Sequence, residues 1–118
     1  MSYVILVVDD DQATRDGIKE LLESKSPLCR VHTASDPLDA ISLFHKYKDS
    51  LTHVVVDYFM PIDNGIEFCK VVRDNNPRIQ VVLFSGNKDL ESSLPDGIVD
   101  EFFVKPNGRE VVEFILGD

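Results

Sequence analysis

The strongest constraint on the fold is the alternation of short, continuous apolar runs with segments of helical spacing. Residues 4–8, 54–56 and 79–84 form the clearest runs, and Gln80 is the one polar residue within them. Continuous runs of this length are typical of strands that are covered on both faces. Between them, apolar residues recur every three or four positions, which predicts helices. The pattern therefore predicts an α/β fold, a doubly wound parallel sheet with helices on both faces.

Two weaker apolar runs bring the number of predicted strands to five. The first surrounds Val31, and the second covers residues 102–104. Asp36 followed by Pro37 predicts the start of the second helix, with the aspartate as its N-cap. A chain of 118 residues has room for one such sheet and one core, so we expect a single domain over residues 1–118.

Residues 87–100 fit the alternation least well. They leave room for one short helix, in which Leu90 and Leu94 lie one turn apart. Pro95 and Gly97 then end that helix before the fifth strand begins. We therefore expect a short, helix-poor segment at this place.

The charge balance excludes several classes of partner. The chain has 21 acidic and 12 basic residues, a formal charge of −9. Binding to a nucleic-acid backbone or to an anionic membrane needs clustered Lys and Arg, so we expect neither. The N-terminus lacks the basic region of a signal peptide, and the apolar runs are too short to cross a bilayer. Cys29 and Cys69 fit free thiols better than a disulfide framework, so we expect a cytoplasmic location.

Chemically capable side chains follow four of the predicted strands: Asp9 and Asp10 follow the first, Asp57 the third, Ser85 the fourth and Lys105 the fifth. Because the carboxyl ends of parallel strands meet at one edge of a sheet, we expect these side chains to converge. Facing carboxylates repel one another, and the usual resolutions are a raised pKa or a bound cation such as Mg²⁺. A carboxylate also serves as a nucleophile that forms an aspartyl phosphate. Mg²⁺ and a lysine then neutralise the phosphoryl oxygens.

Each of these residues also has an ordinary structural interpretation. An aspartate after a strand is usually a turn or capping residue, as we expect for Asp11 at the start of the first helix. The joint placement of the others at four strand ends favours a functional site. The three histidines, His32, His45 and His53, lie on different predicted elements, and we expect them to be structural or solvated.

Four motifs in this order resemble the receiver domain of two-component response regulators, and the resemblance covers essentially the whole chain. The motifs are Asp9-Asp10, Asp57-Tyr58-Phe59-Met60-Pro61 followed by Gly65, Ser85-Gly86, and Phe102-Phe103-Val104-Lys105-Pro106. Each motif alone is weak evidence of relationship, but the four together are specific. The resemblance implies a flavodoxin-like sheet of five parallel strands with receiver topology.

The resemblance also implies a phosphoacceptor and a metal site. Asp57 would accept the phosphoryl group. Asp9, Asp10 and the Asp57 carboxylate would hold Mg²⁺, together with the backbone carbonyl of Phe59. Lys105 would pair with the phosphoryl group.

A switch is implied by two further positions. Ser85 would move to bond the phosphoryl group, and the ring of Phe102 would then swing inward. This movement would remodel the face made by the fourth helix, the fifth strand and the fifth helix of a receiver. The helix-poor segment 87–99 departs from that pattern.

Two positions are expected to tune the loss of the phosphoryl group. Phe59 stands where the family often has a polar or small residue, and its ring would shield the acyl phosphate from water. Asn87, two residues after Ser85, is the other such position. We therefore expect a longer-lived phosphorylated state than in a Phe59→Asn variant.

The implied partners follow from the same resemblance. A sensor histidine kinase or a phosphotransfer protein would supply the phosphoryl group, and an output domain or a separate protein would receive the signal. The chain would be a switch and not an enzyme. The resemblance leaves open a phosphorylation-dependent homodimer, and also whether the chain is a stand-alone receiver or part of a longer protein.

Three alternatives stay open at this point. The first is a pseudo-receiver, an interaction module with this fold that is not phosphorylated. The second is a phosphatase similar to haloacid dehalogenases, with Asp9 as nucleophile and Asp11 as acid and base. Ala13 departs from that family's motif, and the chain after Lys105 has no second acidic pair on a further strand. The third, an FMN-binding flavodoxin, would need a phosphate cradle where this chain is acidic.

Overall fold

The computed structural model describes residues 2–59 and 65–117. The five strands are β1 (Tyr3–Val8), β2 (Cys29–Ala34), β3 (His53–Val56), β4 (Gln80–Ser85) and β5 (Glu101–Val104). The α-helices of the described residues are α1 (Gln12–Lys25), α2 (Pro37–Tyr47), α3 (Gly65–Asn75) and α4 (Gly108–Leu116). A 3₁₀ helix, Lys88–Ser93, lies between β4 and β5.

All neighbouring strands pair in parallel, in the order β2-β1-β3-β4-β5. Val8, the last residue of β1, lies opposite both Ala34 of β2 and Val56 of β3. The carboxyl ends of these strands are therefore level with one another. The predicted α/β fold with five parallel strands and flavodoxin-like topology is confirmed.

Two capping aspartates fix where the first two helices begin. Asp11 accepts a hydrogen bond from the backbone N–H of Thr14, and Asp36 accepts one from that of Asp39. Both caps satisfy an N–H group that has no partner within the helix. Pro37 occupies the first turn of α2, as its fixed φ favours.

The strands are buried on both sides, which accounts for their continuous apolar sequence. On one face, α1 and α4 pack against residues that include Ile5, Val55 and Val82. On the other face, α2 and α3 pack against residues that include Leu6 and Val54. Successive side chains of one strand therefore enter two different cores.

The segment between β4 and β5 differs from the other connections. It contains only the 3₁₀ helix, in which no residue is buried. Leu94, Ile98 and Val99 pack against the core shared with α2 and α3, but they are only partly buried. The predicted short, helix-poor segment is confirmed, and its helical turn is of the 3₁₀ kind.

Both thiols are free and buried, as expected for Cys29 and Cys69. Within the described residues, no helix combines the length and the apolar character that crossing a membrane requires.

Candidate functional site

The site lies at the carboxyl edge of the sheet, where backbone pairing extends one residue beyond the strands. The N–H of Asp9 donates to the carbonyl of Ala34 at 3.1 Å, and the N–H of Asp57 donates to that of Val8 at 2.9 Å. These bonds hold Asp9 and Asp57 side by side on neighbouring strands. The sheet itself therefore sets the spacing of the two carboxylates.

Three carboxylates converge at this edge. Asp9 and Asp57 are buried, with 2% and 6% of their surfaces exposed, whereas Asp10 is exposed to solvent. One oxygen from each of the three lies within 4.8 Å of the others. An all-oxygen donor set of carboxylates that is open to water on one side fits Mg²⁺, which keeps several water ligands. The residues present therefore suit the metal that the sequence predicts.

Lys105 supplies the positive charge that the buried carboxylates need. Its Nζ lies 2.8 Å from Oδ2 of Asp9 and 3.6 Å from Oδ1 of Asp57. The backbone N–H of Lys105 donates to the carbonyl of Ser85 at 2.8 Å, which ties the end of β5 to the end of β4. The ammonium group also lies 5.9 Å from the centre of the Phe84 ring. Lys105 is thus positioned between both buried acids.

The pKa of the Asp57 carboxyl is raised to about 6. Burial is the main cause, and the negative charges of Asp9 and Asp10 add to it. Lys105 and a hydrogen bond from the N–H of Phe59 act in the opposite direction. A cation placed among these carboxylates would stabilise the ionised form of Asp57 and oppose this rise in pKa.

The pKa of Lys105 is shifted by the neighbouring carboxylates of the same site. Burial alone would lower the pKa of its ammonium group, because burial disfavours charge. Its hydrogen bond to Asp9 and the charges of Asp9 and Asp57 outweigh burial, so the pKa of Lys105 is raised. The lysine therefore stays protonated at neutral pH.

Asp11 has the capping role that its position predicts. Its carboxylate is exposed and accepts from the N–H of Thr14 at 3.2 Å and from the Thr14 hydroxyl at 2.6 Å. The bond to the hydroxyl is the main reason that the pKa of Asp11 is lowered. A phosphatase of the alternative type needs this group as its acid and base, and here it is engaged with the start of α1.

Ser85 and Phe102, the two predicted switch positions, lie on the neighbouring strands β4 and β5. Ser85 is fully buried at the end of β4, and its hydroxyl oxygen accepts from the N–H of Asn87 at 3.3 Å. Phe102 lies opposite Leu83 in the sheet and is partly buried against the core shared with α2 and α3. Ser85 therefore lies at the same edge of the sheet as Lys105. Phe102 lies two residues before the end of β5, further from that edge.

Phe59 and Asn87, the two predicted tuning positions, are both exposed. The Phe59 ring is 58% exposed and meets the ring of Tyr58 edge-on, with centroids 4.8 Å apart. The side chain of Asn87 caps the 3₁₀ helix by accepting from the N–H of Asp89 at 3.0 Å. Both residues flank the strand ends that carry Asp57 and Ser85. Met60 and Pro61 of the sequence motif lie outside the described residues.

Two residues contribute to the site in ways that the sequence did not reveal. Gly65 begins α3 and donates its N–H to the carbonyl of Tyr58 at 2.7 Å; a Cβ at this position would collide with the backbone oxygen of Asp57 and with Val56. Arg15 of α1 donates from Nη1 to the backbone carbonyl of Asp9 at 2.7 Å. A glycine in a loop and an arginine in an amphipathic helix are too common to predict such contacts.

The three histidines do not join the site. His53, at the amino end of β3, lies between the rings of Tyr3 and Phe114 and its Nδ1 lies 2.8 Å from the Thr52 hydroxyl. Burial lowers the pKa of His53 to about 4, so it is neutral at pH 7. His32 stacks on a tyrosine ring of α2, and His45 is exposed. Their predicted structural or solvated character is confirmed.

Comparison with known families and proteins agrees with this architecture. A family model described as the response regulator receiver domain matches residues 5–115. The chain is 33% identical over 110 residues to the transcriptional regulatory protein CpxR of Escherichia coli K12, a match that covers 92% of this chain and 45% of that protein. It is 30% identical over 107 residues to the cyclic di-GMP phosphodiesterase response regulator RpfG of Xanthomonas campestris pv. campestris, covering 86% and 28%. The chain spans less than half the length of these relatives.

Solved structures show the same likeness. The response regulator protein TrrA from Thermotoga maritima, in complex with Mg²⁺-BeF, is 27% identical with a TM-score of 0.85 over 98% of this chain and 97% of that one. A response regulator receiver domain protein from Clostridium thermocellum is 25% identical with a TM-score of 0.86, over 98% and 92%.

Proposed function

Because this chain belongs to the response regulator receiver family, the signalling modules of two-component systems, we propose that it is switched by phosphorylation of Asp57. One observation carries the proposal: a buried carboxylate with a raised pKa lies within reach of Lys105 and of two further carboxylates, all at the ends of parallel strands. A nucleophile, a fixed cation and a set of metal ligands are the parts that phosphoryl transfer requires.

Asp9, Asp10 and Asp57 would hold Mg²⁺, with the backbone carbonyl of Phe59 as a further ligand. When bound, Mg²⁺ supplies positive charge that stabilises the developing charge on the phosphoryl oxygens. The three carboxylates carry more negative charge than Lys105 alone can offset. Occupation by a divalent cation would therefore also stabilise the ionised form of Asp57.

In the reaction, the chain's own residues would present the attacking carboxylate and neutralise charge on the phosphoryl oxygens. A carboxylate oxygen of Asp57 attacks the phosphorus of the donor and forms a new O–P bond. The bond from phosphorus to the donor's leaving atom breaks, and that atom keeps the electron pair. Lys105 lies 3.6 Å from Asp57 and would follow the charge from that carboxylate to the phosphoryl oxygens.

A change at the β4–β5 side would carry the signal. Within the described part of the chain, the Ser85 hydroxyl accepts one hydrogen bond, at 3.3 Å from the N–H of Asn87, so turning toward a phosphoryl oxygen would cost little. Movement of Ser85 would open space into which the partly buried ring of Phe102 rotates. The surface so altered consists of the 3₁₀ helix, β5 and α4. The physical basis is a two-state equilibrium that one added charge displaces.

Phe59 and Asn87 would set the lifetime of the phosphorylated state. The exposed Phe59 ring stands two residues after the phosphoacceptor, where it would limit the approach of water. We expect the phosphorylated parent chain to lose its phosphoryl group more slowly than a Phe59→Asn variant, as followed by intact mass over time. Equal or faster loss in the parent would contradict this role.

The proposed partners are a histidine kinase or a phosphotransfer protein on the input side and an output domain or separate protein on the other. The relatives CpxR and RpfG extend well beyond the matched region, so the output of a longer protein would depend on its other domains. A homodimer formed on phosphorylation remains part of the proposal. Direct contact with nucleic acid is not part of the proposal, because the chain carries a formal charge of −9.

The test uses Mg²⁺ and a small acyl-phosphate donor with intact mass as the readout. We expect one added phosphoryl group on the parent chain and on Asp49→Asn, a control at an exposed position. We expect none on Asp57→Asn, or when Mg²⁺ is withheld. A folded parent chain that binds no Mg²⁺ and takes no phosphoryl group, from this donor or from a kinase, would contradict the proposal and favour a pseudo-receiver.

A further inference from the structure

We infer that Arg15 is a positioning residue for the metal site, which it serves by fixing the peptide bond between Asp9 and Asp10. The inference rests on the proposed function, because it concerns the same carboxylates. It adds a residue to which neither the sequence motifs nor the geometry of the three carboxylates points.

The contact is short and directed from one helix onto the end of a strand. Arg15 lies in the second turn of α1, and its Nη1 lies 2.7 Å from the backbone oxygen of Asp9. The arginine is only partly exposed. A charged donor at this distance makes one of the stronger hydrogen bonds found in proteins.

Every other polar atom of Asp9 is also held. Its N–H donates to Ala34, Oδ1 accepts from the N–H of Asp11 at 2.9 Å, and Oδ2 pairs with Lys105. Arg15 binds the remaining atom, the carbonyl oxygen. The residue is therefore fixed in both its backbone and its carboxylate.

Fixing this carbonyl orients the next residue. A peptide unit is planar, so the Asp9 oxygen and the N–H and Cα of Asp10 move together. Rotation of that plane would swing the Cα of Asp10 and redirect its carboxylate. Asp10 is the exposed member of the carboxylate cluster, and burial does little to hold it in place. Arg15 thus orients Asp10 through the backbone.

Residues that orient metal ligands from outside the ligand set commonly change metal affinity by about 10- to 100-fold when removed. Arg15→Met keeps an apolar stem and removes all donors, whereas Arg15→Lys keeps the charge and one donor group. Arg30→Met removes an exposed arginine from the edge strand β2 and is the matched control.

Calorimetric titration of the unphosphorylated proteins with Mg²⁺ gives the first readout. We expect the Kd to rise about tenfold in Arg15→Met and less in Arg15→Lys. We expect the Kd of Arg30→Met to stay within about twofold of the parent value. Thermal unfolding verifies that each protein is folded at the titration temperature.

A second readout separates positioning from stability. In the acyl-phosphate assay, the Mg²⁺ concentration for half-maximal phosphorylation should rise by the same factor in Arg15→Met. The maximal rate at saturating Mg²⁺ should be kept, because the attacking Asp57 is not itself displaced. A purely structural role would lower the melting temperature and leave the Mg²⁺ dependence unchanged.

The outcomes distinguish this inference from the function on which it rests. A parent chain that binds Mg²⁺, with Arg15→Met binding equally well, would overturn the role of Arg15 alone. If Arg15→Met fails to fold, an unchanged Kd in Arg15→Lys would overturn it in the same way. A parent chain that binds no Mg²⁺ would contradict the proposed metal site, and the role of Arg15 with it.

Discussion

The centre of the sheet and its β5 edge are built differently, although both border the site. Residues 5–8 of β1 and all of β3 except His53 are at most 2% exposed. In contrast, every residue of β5 is only partly buried, and the 3₁₀ helix beside it buries none. Asp9 and Asp57 extend from the centre, whereas Lys105 and the proposed switch position Phe102 belong to the edge.

This difference in burial between the centre of the sheet and its β5 edge fits the proposed switch. Segments with few buried apolar contacts open at lower free energy than a packed core, and moving parts of proteins are drawn from them. In the proposed function, a phosphoryl group added at the buried centre would leave that centre in place. The added charge would act on the edge through Lys105 and Ser85, where a change of packing costs less free energy.

The largest expected effect compares two phenylalanines. Phe44 is fully buried in the core under α2 and meets the Phe68 ring edge-on, with centroids 6.2 Å apart. Phe44→Ala should lower the free energy of unfolding by about 3–5 kcal/mol. Phe102→Ala at the edge should lower it by about 1–2 kcal/mol, because less of the ring is buried. Urea unfolding measures both, and equal losses would remove the distinction between the two regions.

The next effect tests the charge held at the centre. Because the pKa of folded Asp57 is raised from 3.8 to about 6, its contribution to stability falls as pH rises from about 4 to about 6. Asp57→Asn removes that penalty and should gain about 3 kcal/mol at pH 7.5 and much less near pH 4.

The control for this pH dependence is Asp49→Asn, at an exposed position, which should change stability at neither pH. His53 contributes with the opposite sign, since its lowered pKa adds stability above about pH 6.5 that is lost as pH falls through about 4. His53 makes the same contribution in the parent chain, in Asp57→Asn and in Asp49→Asn. It therefore cancels when their free energies of unfolding are compared. A gain that is the same at both pH values would show that Asp57 carries no such penalty.

A third effect concerns the packing of α3 against the centre. Gly65→Ala places a methyl group against the backbone of Asp57, which cannot yield easily, and should cost about 1–3 kcal/mol. Gly17→Ala, in the interior of α1 with open space around it, should instead gain about 0.5–1 kcal/mol. Chemical denaturation reports both values. Tolerance of Gly65→Ala would mean that α3 is free to move away from the strand end.

The smallest effect lies at the edge, which is held by polar contacts more than by burial. Asp100 accepts from Nη2 of Arg73 at 2.6 Å and from the N–H of Val81 at 2.7 Å. Asp100→Ala should cost about 1–2 kcal/mol and speed amide exchange mainly in the segment before β5. Asp96→Ala, exposed in the same segment, should change stability by less than about 0.5 kcal/mol. Equal effects of the two would mean that the Arg73 contact does not hold this edge.

The sheet and the outline of the site could be predicted because each leaves a direct mark on the sequence. A strand buried on two faces is a continuous apolar run, and a parallel sheet gathers its strand ends at one edge. Asp9, Asp57, Ser85 and Lys105 therefore meet where the sequence pattern puts them.

The contacts that support the site could not be predicted, because they leave no distinctive pattern in the sequence. Arg15 binds a backbone carbonyl, and every residue has one, so no partner residue in the sequence identifies the contact. Gly65 is required by the close approach of α3 to Asp57, a distance that only the folded chain defines. The 3₁₀ geometry of Lys88–Ser93 likewise depends on its few contacts with the core, not on a distinctive pattern.

Hydrogen exchange followed by mass spectrometry tests most directly whether a phosphoryl group at the buried centre of the sheet changes the β5 edge. The parent chain and Asp57→Asn would be compared with and without Mg²⁺ and beryllium fluoride, a stand-in for the phosphoryl group. We predict altered exchange between residues 86 and 105 of the parent only, with β1 and β2 unchanged. Unaltered exchange in that segment, while the parent binds both reagents, would contradict it.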